Sequence, residues 1–443
     1  MLKTFKLGGV HPPENKLSAD KKIQDLPIPK SVFIPVAQHI GAPSTPTVNR
    51  GDVVKVGQAI AKRSSFVSTN IHSSVSGKVK KVDFSADSSG YPKQGIFIDV
   101  EGDEWLENID RSETLVSEFS LGGKEIIQKI QDAGIVGLGG ATFPTHVKLV
   151  PPKGMKADIL LINGVECEPY LTSDHRLMLE KADEILVGTQ LLMKALKVDK
   201  AVIGIESNKP DAIQLLTEKA KKYKGLSVVA LKVKYPQGGE KQLIKAVTGK
   251  EVPSGGLPIA VGAVVSNVGT AFAVYEAIQK NKPLFERVVT ITGKGVANPS
   301  NFRVRIGTAT SEIIEAAGGL PENTGKIISG GPMMGRAVAS LDVPVTKGTS
   351  GILLMKDDEA KRKEYIECIR CSRCVSVCPM GLEPYLLMTL GEKQIFDRAE
   401  ENRVMDCIEC GSCSYTCPSN RPLLDYIRFG KGKVGQIIRS RKK

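Results

Sequence analysis

Eight of the nine cysteines of this 443-residue chain fall into two runs of one spacing near its C-terminus. Cys368-x-x-Cys371-x-x-Cys374-x-x-x-Cys378-Pro379 is followed by Cys407-x-x-Cys410-x-x-Cys413-x-x-x-Cys417-Pro418. This spacing presents four thiolates to an iron–sulfur cubane, three from a tight loop and the fourth from the partner run. It assigns Cys368, Cys371, Cys374 and Cys417 to one [4Fe–4S] cluster, and Cys407, Cys410, Cys413 and Cys378 to a second. The proline after each fourth cysteine ends the loop where no backbone donor is needed. Structural zinc favours pairs of C-x2-C across a longer gap, and no histidine lies nearby. The ninth cysteine, Cys167 in NGVECEPY, reads as a small, half-buried hydrophobe.

Two single-electron centres do nothing to organic molecules directly, so the rest of the chain must hold their donor or acceptor. A hydrophobic content of 41% with 25% charged residues excludes wholesale disorder. The N-terminus lacks a signal-peptide core, which predicts a reducing compartment and metal-ligating thiols rather than disulfides. Residues 252–275 carry no charge, but their prolines, glycines, Ser254, Ser266 and Asn267 favour a buried loop, strand and helix start over a membrane span. The net charge of +13 is concentrated at the end, where the last fifteen residues hold six basic side chains and no acid.

The rhythm of the chain predicts a multidomain α/β and β protein. Residues 1–30 read as a polar N-terminal arm. Residues 31–111 carry short strands in which NRGDVVKVGQAIA and IHSSVSGKVKKV resemble the biotinyl/lipoyl-like half-barrel. The hairpin between them, SSFVSTN, has no lysine to modify, so a structural module is expected. Residues 112–283 alternate strands with helices, the pattern of a mostly parallel α/β sheet. SETLVSEFSLGGKEIIQKIQDAG within them reads as a helix ending at a glycine cap. Residues 284–356 resemble a β-grasp, soluble-ligand-binding module. Residues 357–430 form a helical, bacterial-type two-[4Fe–4S] ferredoxin domain, and 431–443 a basic tail.

A second feature lies in the α/β region. Gly137, Gly139 and Gly140 precede Phe143 and Lys148 in GIVGLGGATFPTHVK. Such glycines let backbone amides approach a phosphate, and the lysine supplies a matching charge. The order is neither the Rossmann fingerprint nor a P-loop. Three strand ends follow, with Asn163, Glu166 and Glu168 in INGVECEPY, Tyr235, Gly238 and Glu240 in YPQGGE, and Asn267 in SNVGT. Strand ends are where α/β sheets bind ligands.

These motifs resemble the flavin- and nicotinamide-binding segments of the FMN-bearing NADH dehydrogenase subunit of respiratory complex I. The order of modules resembles the C subunit of the Rnf ion-translocating ferredoxin:NAD+ oxidoreductase over roughly residues 5–430. The resemblance implies that Gly137, Gly139, Gly140 and Lys148 hold the FMN phosphate side, with Phe143 near the flavin. It puts Asn163, Glu166 and Glu168 in the flavin and nicotinamide pocket, the two acids orienting nicotinamide and tuning flavin by charge. Tyr235, Gly238 and Glu240 would contact the nucleotide, and Asn267 the FMN. Leu138 and Val165 stand where complex I has Arg and Asp, Thr142 and His146 where it has Gly.

The resemblance also implies electron transfer between the clusters and NAD(H) through FMN. The partners implied are a ferredoxin-binding multi-cluster subunit and membrane subunits that move Na+ or H+. With no span of its own, the chain is expected on the cytoplasmic face of the membrane, where the basic tail could meet anionic lipid. A flavin-free iron–sulfur relay is the alternative. Nucleic acid is not expected, because the basic residues are not interleaved with aromatics.

Overall fold

The computed structural model describes residues 2–441. Two β-rich modules pack against a parallel α/β layer, and the cysteine module contacts that layer at Tyr235. β1 (Ile23–Asp25) belongs to the N-terminal segment. The half-barrel follows as β2 (Ser31–Pro35), β3 (Thr45–Pro46), β4 (Val53–Val54), β5 (Ala59–Lys62), β6 (Ile71–His72), β7 (Gly77–Ala86) and β8 (Pro92–Val100). These strands form two small sheets, ordered β2-β8-β7-β4 and β3-β5-β6. Val32, Ile34, Ile60 and Ile98 from this module join the apolar cluster that also holds Ile126, Leu160 and Leu186. The half-barrel therefore packs on the α/β layer as one continuous core.

Helix α1 spans only Gly123–Asp132, so the predicted helix loses its first half. The glycine pair interrupts it, and the Glu125 carboxylate caps the shortened end by accepting the Gly122 amide at 2.6 Å. After α2 (Thr145–Lys148) come β9 (Ile159–Asn163), α3 (Ser173–Glu180), α4 (Ala182–Leu196), β10 (Ala201–Glu206), α5 (Pro210–Ala220), β11 (Leu226–Leu231), α6 (Glu240–Thr248), β12 (Ala263–Asn267) and α7 (Val268–Gln279). The later part of the uncharged stretch is β12 and the start of α7, buried as expected. The loop before them is not buried: residues 253–255 and Leu257 are exposed, because the prolines and glycines there hold the backbone in turns at the surface. The four strands are parallel in the order β11-β10-β9-β12. The order reverses between β9 and β12, which leaves a crevice at their carboxyl ends.

The third module comprises β13 (Glu286–Thr292), β14 (Ser300–Arg305), α8 (Thr310–Ala316), β15 (Thr324–Ser329), β16 (Arg336–Ala337) and β17 (Gly351–Lys356). Its sheet runs β1-β14-β13-β17-β15-β16, with β13 and β17 parallel at the centre. The edge strand β1 comes from the segment read as a free arm. Asn301 fixes that segment by donating to the Ser18 carbonyl at 3.0 Å, and Ser18 is fully buried. The arm is therefore woven into the fold; its buried groups are single residues without periodicity, so no pattern announced them.

The C-terminal module carries α9 (Asp357–Ala360), α10 (Arg373–Ser376), α11 (Pro384–Glu392), α12 (Phe396–Glu401), α13 (Ser412–Thr416) and α14 (Leu423–Ser440). The basic tail is not a separate appendage. Leu424, Ile427 and Val434 recur at helical spacing and are buried, so α14 continues through Ser440. Lys442 and Lys443 lie outside the described residues. Among the described residues no helix is long and apolar enough to cross a membrane.

Candidate functional site: a strand-end crevice and two cysteine sets

Asn163 ends β9, Asn267 ends β12, and the two pair in register. Asn267 uses every group it has. Its Nδ2 donates to the Asn163 carbonyl at 3.3 Å and to Asp174 at 2.7 Å, while its Oδ1 accepts the Gly269 amide at 2.8 Å and so caps α7. The glycine-rich loop sits on this residue. A Cβ on Gly139 would lie 2.6 Å from Asn267 Nδ2, whereas one on Gly140 would meet open space. Gly137 closes the loop by donating to the Phe143 carbonyl at 3.0 Å, and Leu138 donates its amide to Thr270 on α7.

The loop, Asn163, Gly238, Lys148, Glu240 and Asn267 thus gather around the crevice. Asn163 donates to the Gly238 carbonyl at 2.8 Å. Lys148 bonds Glu240 at 2.8 Å and also the Val265 carbonyl, so its charge is balanced until an anion competes. Gly139 and Gly140 are exposed and Phe143 is half-buried beside them. This arrangement suits a phosphate-bearing ligand, with backbone amides, a cation and a surface where side chains are lacking.

The two acids have other partners. Glu166, at φ 46, accepts the Asp174 and His175 amides at 2.7 and 3.1 Å and so anchors the start of α3. Glu168 accepts the amides of Met333 and Met334 at 2.6 and 3.0 Å, across to the third module. Burial raises Glu168 above the usual carboxylate range in spite of those amides. Burial, and then Glu166, raises its neighbour Asp174 to about 7. Lys16, from the N-terminal segment, donates to the carbonyls of Glu166, Glu168 and Leu171. It belongs to the site although no motif marked it.

Tyr235 departs from its expected place against a nucleotide. It is 2% exposed, and its hydroxyl donates to the Cys410 carbonyl at 2.8 Å. It is a bridge to the cysteine module. Cys167 lies in the same apolar cluster as Tyr235 and Cys410, and its sulfur accepts the Gly238 amide at 3.4 Å. Burial pushes its thiol far up, which keeps it neutral and unreactive.

Further charges surround the loop from below. Lys347 is 1% exposed, and its Nζ donates to the carbonyls of Asn70 and Gly134 at 2.9 and 2.7 Å. Burial lowers it to about 7. Arg287 donates to the carbonyls of Lys347 and Leu138, and is buried beside Asp174. Nothing local in the sequence distinguishes Lys347 or Arg287 from surface cations.

The cysteines separate into two environments. Cys378, Cys407, Cys410 and Cys413 line one pocket, with apolar walls including Leu387 and Ile427. Burial, then the thiols of Cys410, Cys407 and Cys378, push Cys413 well up. Cys374 is raised by burial and by its neighbours Cys417 and Cys368. The pocket thus brings Cys378 from the first run to three cysteines of the second, and Cys417 from the second lies near Cys374 and Cys368 of the first. Iron binding must supply the free energy that deprotonates such thiols. Among the described residues no three His, Cys, Asp or Glu side chains converge as ligands of a single ion. A cubane does not ask for that, since each thiolate takes a different iron.

Comparison with known families agrees with these two kinds of site. Residues 130–276 match the Nuo51 FMN-binding domain and residues 360–418 a 4Fe-4S dicluster domain. Residues 3–103 match the RnfC barrel sandwich hybrid domain, and 288–337 the SLBB domain. The chain is therefore a flavin and iron–sulfur electron-transfer protein that carries FMN and two [4Fe–4S] clusters. It is 52% identical to the C subunit of the proton-translocating ferredoxin:NAD(+) oxidoreductase complex of Clostridium ljungdahlii, covering 98% of this chain and 94% of that one. It is 45% identical to the C subunit of the Na(+)-translocating complex of Acetobacterium woodii, covering 97% of each. The C subunit of the ion-translocating oxidoreductase complex of Rhodobacter capsulatus is 42% identical over 98% of this chain and 84% of its own. The chain belongs to the family of C subunits of ion-translocating ferredoxin:NAD+ oxidoreductase complexes.

Proposed function

We propose that this chain passes electrons between its iron–sulfur clusters and NAD(H) through FMN. In this reading it is a peripheral subunit on the cytoplasmic face of a membrane complex that couples ferredoxin oxidation and NAD+ reduction to Na+ or H+ transport. Its partners are the ferredoxin-binding multi-cluster subunit and the membrane-embedded subunits. A flavin converts between the one-electron regime of clusters and the hydride regime of NAD(H).

The protein's own residues bind and orient. The amides of Gly139 and Gly140 and the cation of Lys148 would hold the phosphate side of FMN, with Gly137 shaping the loop there through its bond to the Phe143 carbonyl, and Glu240 would release Lys148 to the phosphate. Asn267 and Asn163 fix the crevice floor. Glu166 and Glu168, held by backbone amides, act on the flavin and nicotinamide through position and charge rather than by carrying protons. Tyr235 keeps the crevice and the second cysteine set in register.

One observation carries the reading: the strand-end segments touch the buried cysteine set directly, Tyr235 through its hydrogen bond to the Cys410 carbonyl and Cys167, which accepts the Gly238 amide, through the apolar cluster it shares with Tyr235 and Cys410. The flavin-free relay gains nothing from the two departures from complex I, because Leu138 and Val165 point into apolar cores. The test is anaerobic reconstitution with iron, sulfide and FMN, followed by NADH. The expected result is bleaching of the flavin band and turnover of an artificial acceptor. Clusters bound with no flavin and no response to NADH would establish the relay instead.

A further inference from the structure

The N-terminal segment crosses the molecule before it reaches β1. Residues 8–10 form a strap: Gly9 donates to the Val377 carbonyl at 2.8 Å, and Val10 exchanges backbone hydrogen bonds with Tyr235. Residues 14–18 then run beside the acidic loop 165–171. The Tyr170 amide donates to the Glu14 carbonyl at 2.8 Å, and the hydroxyls of Ser18 and Thr172 bond at 2.6 Å.

Lys16 stands in the middle of this contact. Its Nζ lies 2.8 Å from the Glu166 carbonyl, 3.0 Å from that of Glu168 and 2.7 Å from that of Leu171. Three acceptors at these distances take the three N–H groups of an ammonium, whereas a neutral amine has only two. Burial lowers Lys16 from its ordinary value, and the charge of Glu166 opposes that. Lys209, only 2% exposed, donates to the Val165 carbonyl at 2.8 Å. Two lysines therefore hold four carbonyls of the loop.

Glu166 needs such restraint. It sits at φ 46, where a residue with a side chain persists only if its surroundings fix it. Its carboxylate is committed to the amides of Asp174 and His175, and its carbonyl to Lys16. A positive charge fixed beside Glu166 also offsets the charge of that carboxylate, so electrons added to a ligand next to it meet less repulsion.

We propose that Lys16 is a positioning residue for the flavin and nicotinamide pocket: it holds the acidic loop by its carbonyls and, as the counter-charge to Glu166, raises the reduction potential of the flavin bound there. Lys16 keeps its protons throughout and takes no part in the transfer itself. The proposal rests on the flavin reading above and deepens it.

The test uses the full chain with both cubanes, anaerobically, with and without FMN. In Lys16→Met and Lys16→Gln the two-electron midpoint potential of bound flavin should fall by about 30 mV, a tenfold change in its reduction equilibrium, while Lys16→Arg should stay near wild type. Lys16→Gln keeps a donor without the charge, so a Met variant that fails to fold leaves the comparison of Gln with Arg. Without FMN, amide exchange in a peptide spanning 165–172 should be about tenfold faster in Lys16→Met. Iron content and reduced-cluster EPR signals, retained in each variant, report an intact chain. Lys22→Met, at an exposed lysine of the same segment, should change neither reading. A potential unchanged in Met and Gln, or lowered as far in Arg, overturns the proposal while the flavin reading stands. A wild-type chain that binds no flavin overturns the flavin reading and the tuning role, and exchange alone then decides whether Lys16 positions the loop.

Discussion

Replacing Tyr235 by Phe removes one oxygen from a buried contact and leaves the ring in place, so no cavity term enters. What is lost is the 2.8 Å hydrogen bond to the Cys410 carbonyl. A net hydrogen bond contributes about 1 kcal/mol, and a buried acceptor left unpaired costs about 1–3 kcal/mol. The hydroxyl also lies beside Glu168, whose charged form it helps to support. The contact between the strand-end crevice and the second cysteine run should therefore weaken by about 1–2 kcal/mol, which is about tenfold in its opening equilibrium. Local opening is read by amide hydrogen exchange. In the anaerobic, cluster-loaded chain, Tyr235→Phe should speed exchange about tenfold in peptides spanning 405–416 and 233–239. Strand β9, buried in the α/β core, serves as the internal control and should not change. Unchanged exchange around Cys410 would show that the hydroxyl does not hold the modules together. Uniform acceleration, β9 included, would show a general loss of stability.

Two other predictions concern the crevice and its support. In Gly139→Ala the new methyl meets Asn267 Nδ2 at 2.6 Å and must displace a side chain that both caps α7 and bonds Asp174. A loss of about 2 kcal/mol follows, so the dissociation constant of FMN, followed by flavin fluorescence, should rise about 30-fold with cubane EPR signals intact. An unchanged constant would remove the loop from the FMN site. For Lys347, burial lowers the folded value from 10.5 to about 7. Between those values the unfolded chain holds a proton that the folded chain lacks, so stability rises with pH in that window and is least below it. A neutral amine has two N–H groups, matching its two carbonyl partners. Denaturation at pH 7.5 and 9.5 should show wild type gaining up to about 1.4 kcal/mol per pH unit over Lys347→Met. A parallel pH dependence in the variant would mean that Lys347 is buried charged.

The cysteine sets were legible because their chemistry is local. Eight ligands at fixed spacing leave few other uses, and the crossed assignment follows from helix direction after each loop. The strand-end motifs were legible as places, since Asn163, Gly238, Glu240 and Asn267 do gather at the β9–β12 reversal. What those positions touch was not legible. The amides that occupy Glu168 belong to Met333 and Met334, and the carbonyl that occupies Tyr235 belongs to Cys410. No periodicity or spacing relates residues so far apart in sequence. Tyr235 in particular carries the pattern of a ligand contact while its side chain turns inward. The N-terminal segment failed for another reason. Pro, Lys and single small apolar residues give no period, yet Phe5, Val10 and Ser18 are buried because other modules close over them.

That segment also ties the strand-end crevice to the cysteine runs. The cysteine module follows the α/β layer by some way in the chain, with the third module between them. Its covalent link does not determine how it faces the crevice. Electron transfer between the two depends steeply on their separation, so their relative placement has to be fixed by contacts. Side-chain packing alone tolerates small shifts, whereas backbone hydrogen bonds with glycine at the contact allow few. The Gly8–Val10 strap supplies such bonds to Tyr235 on one side and to Val377 on the other. With Tyr235 on Cys410, it restrains both runs through residues at or beside ligands of one set, the buried one. The outer set of Cys368, Cys371, Cys374 and Cys417 is tied instead within the cysteine module, through the Ile366 amide on the Ser419 carbonyl and Arg362 on Asp425.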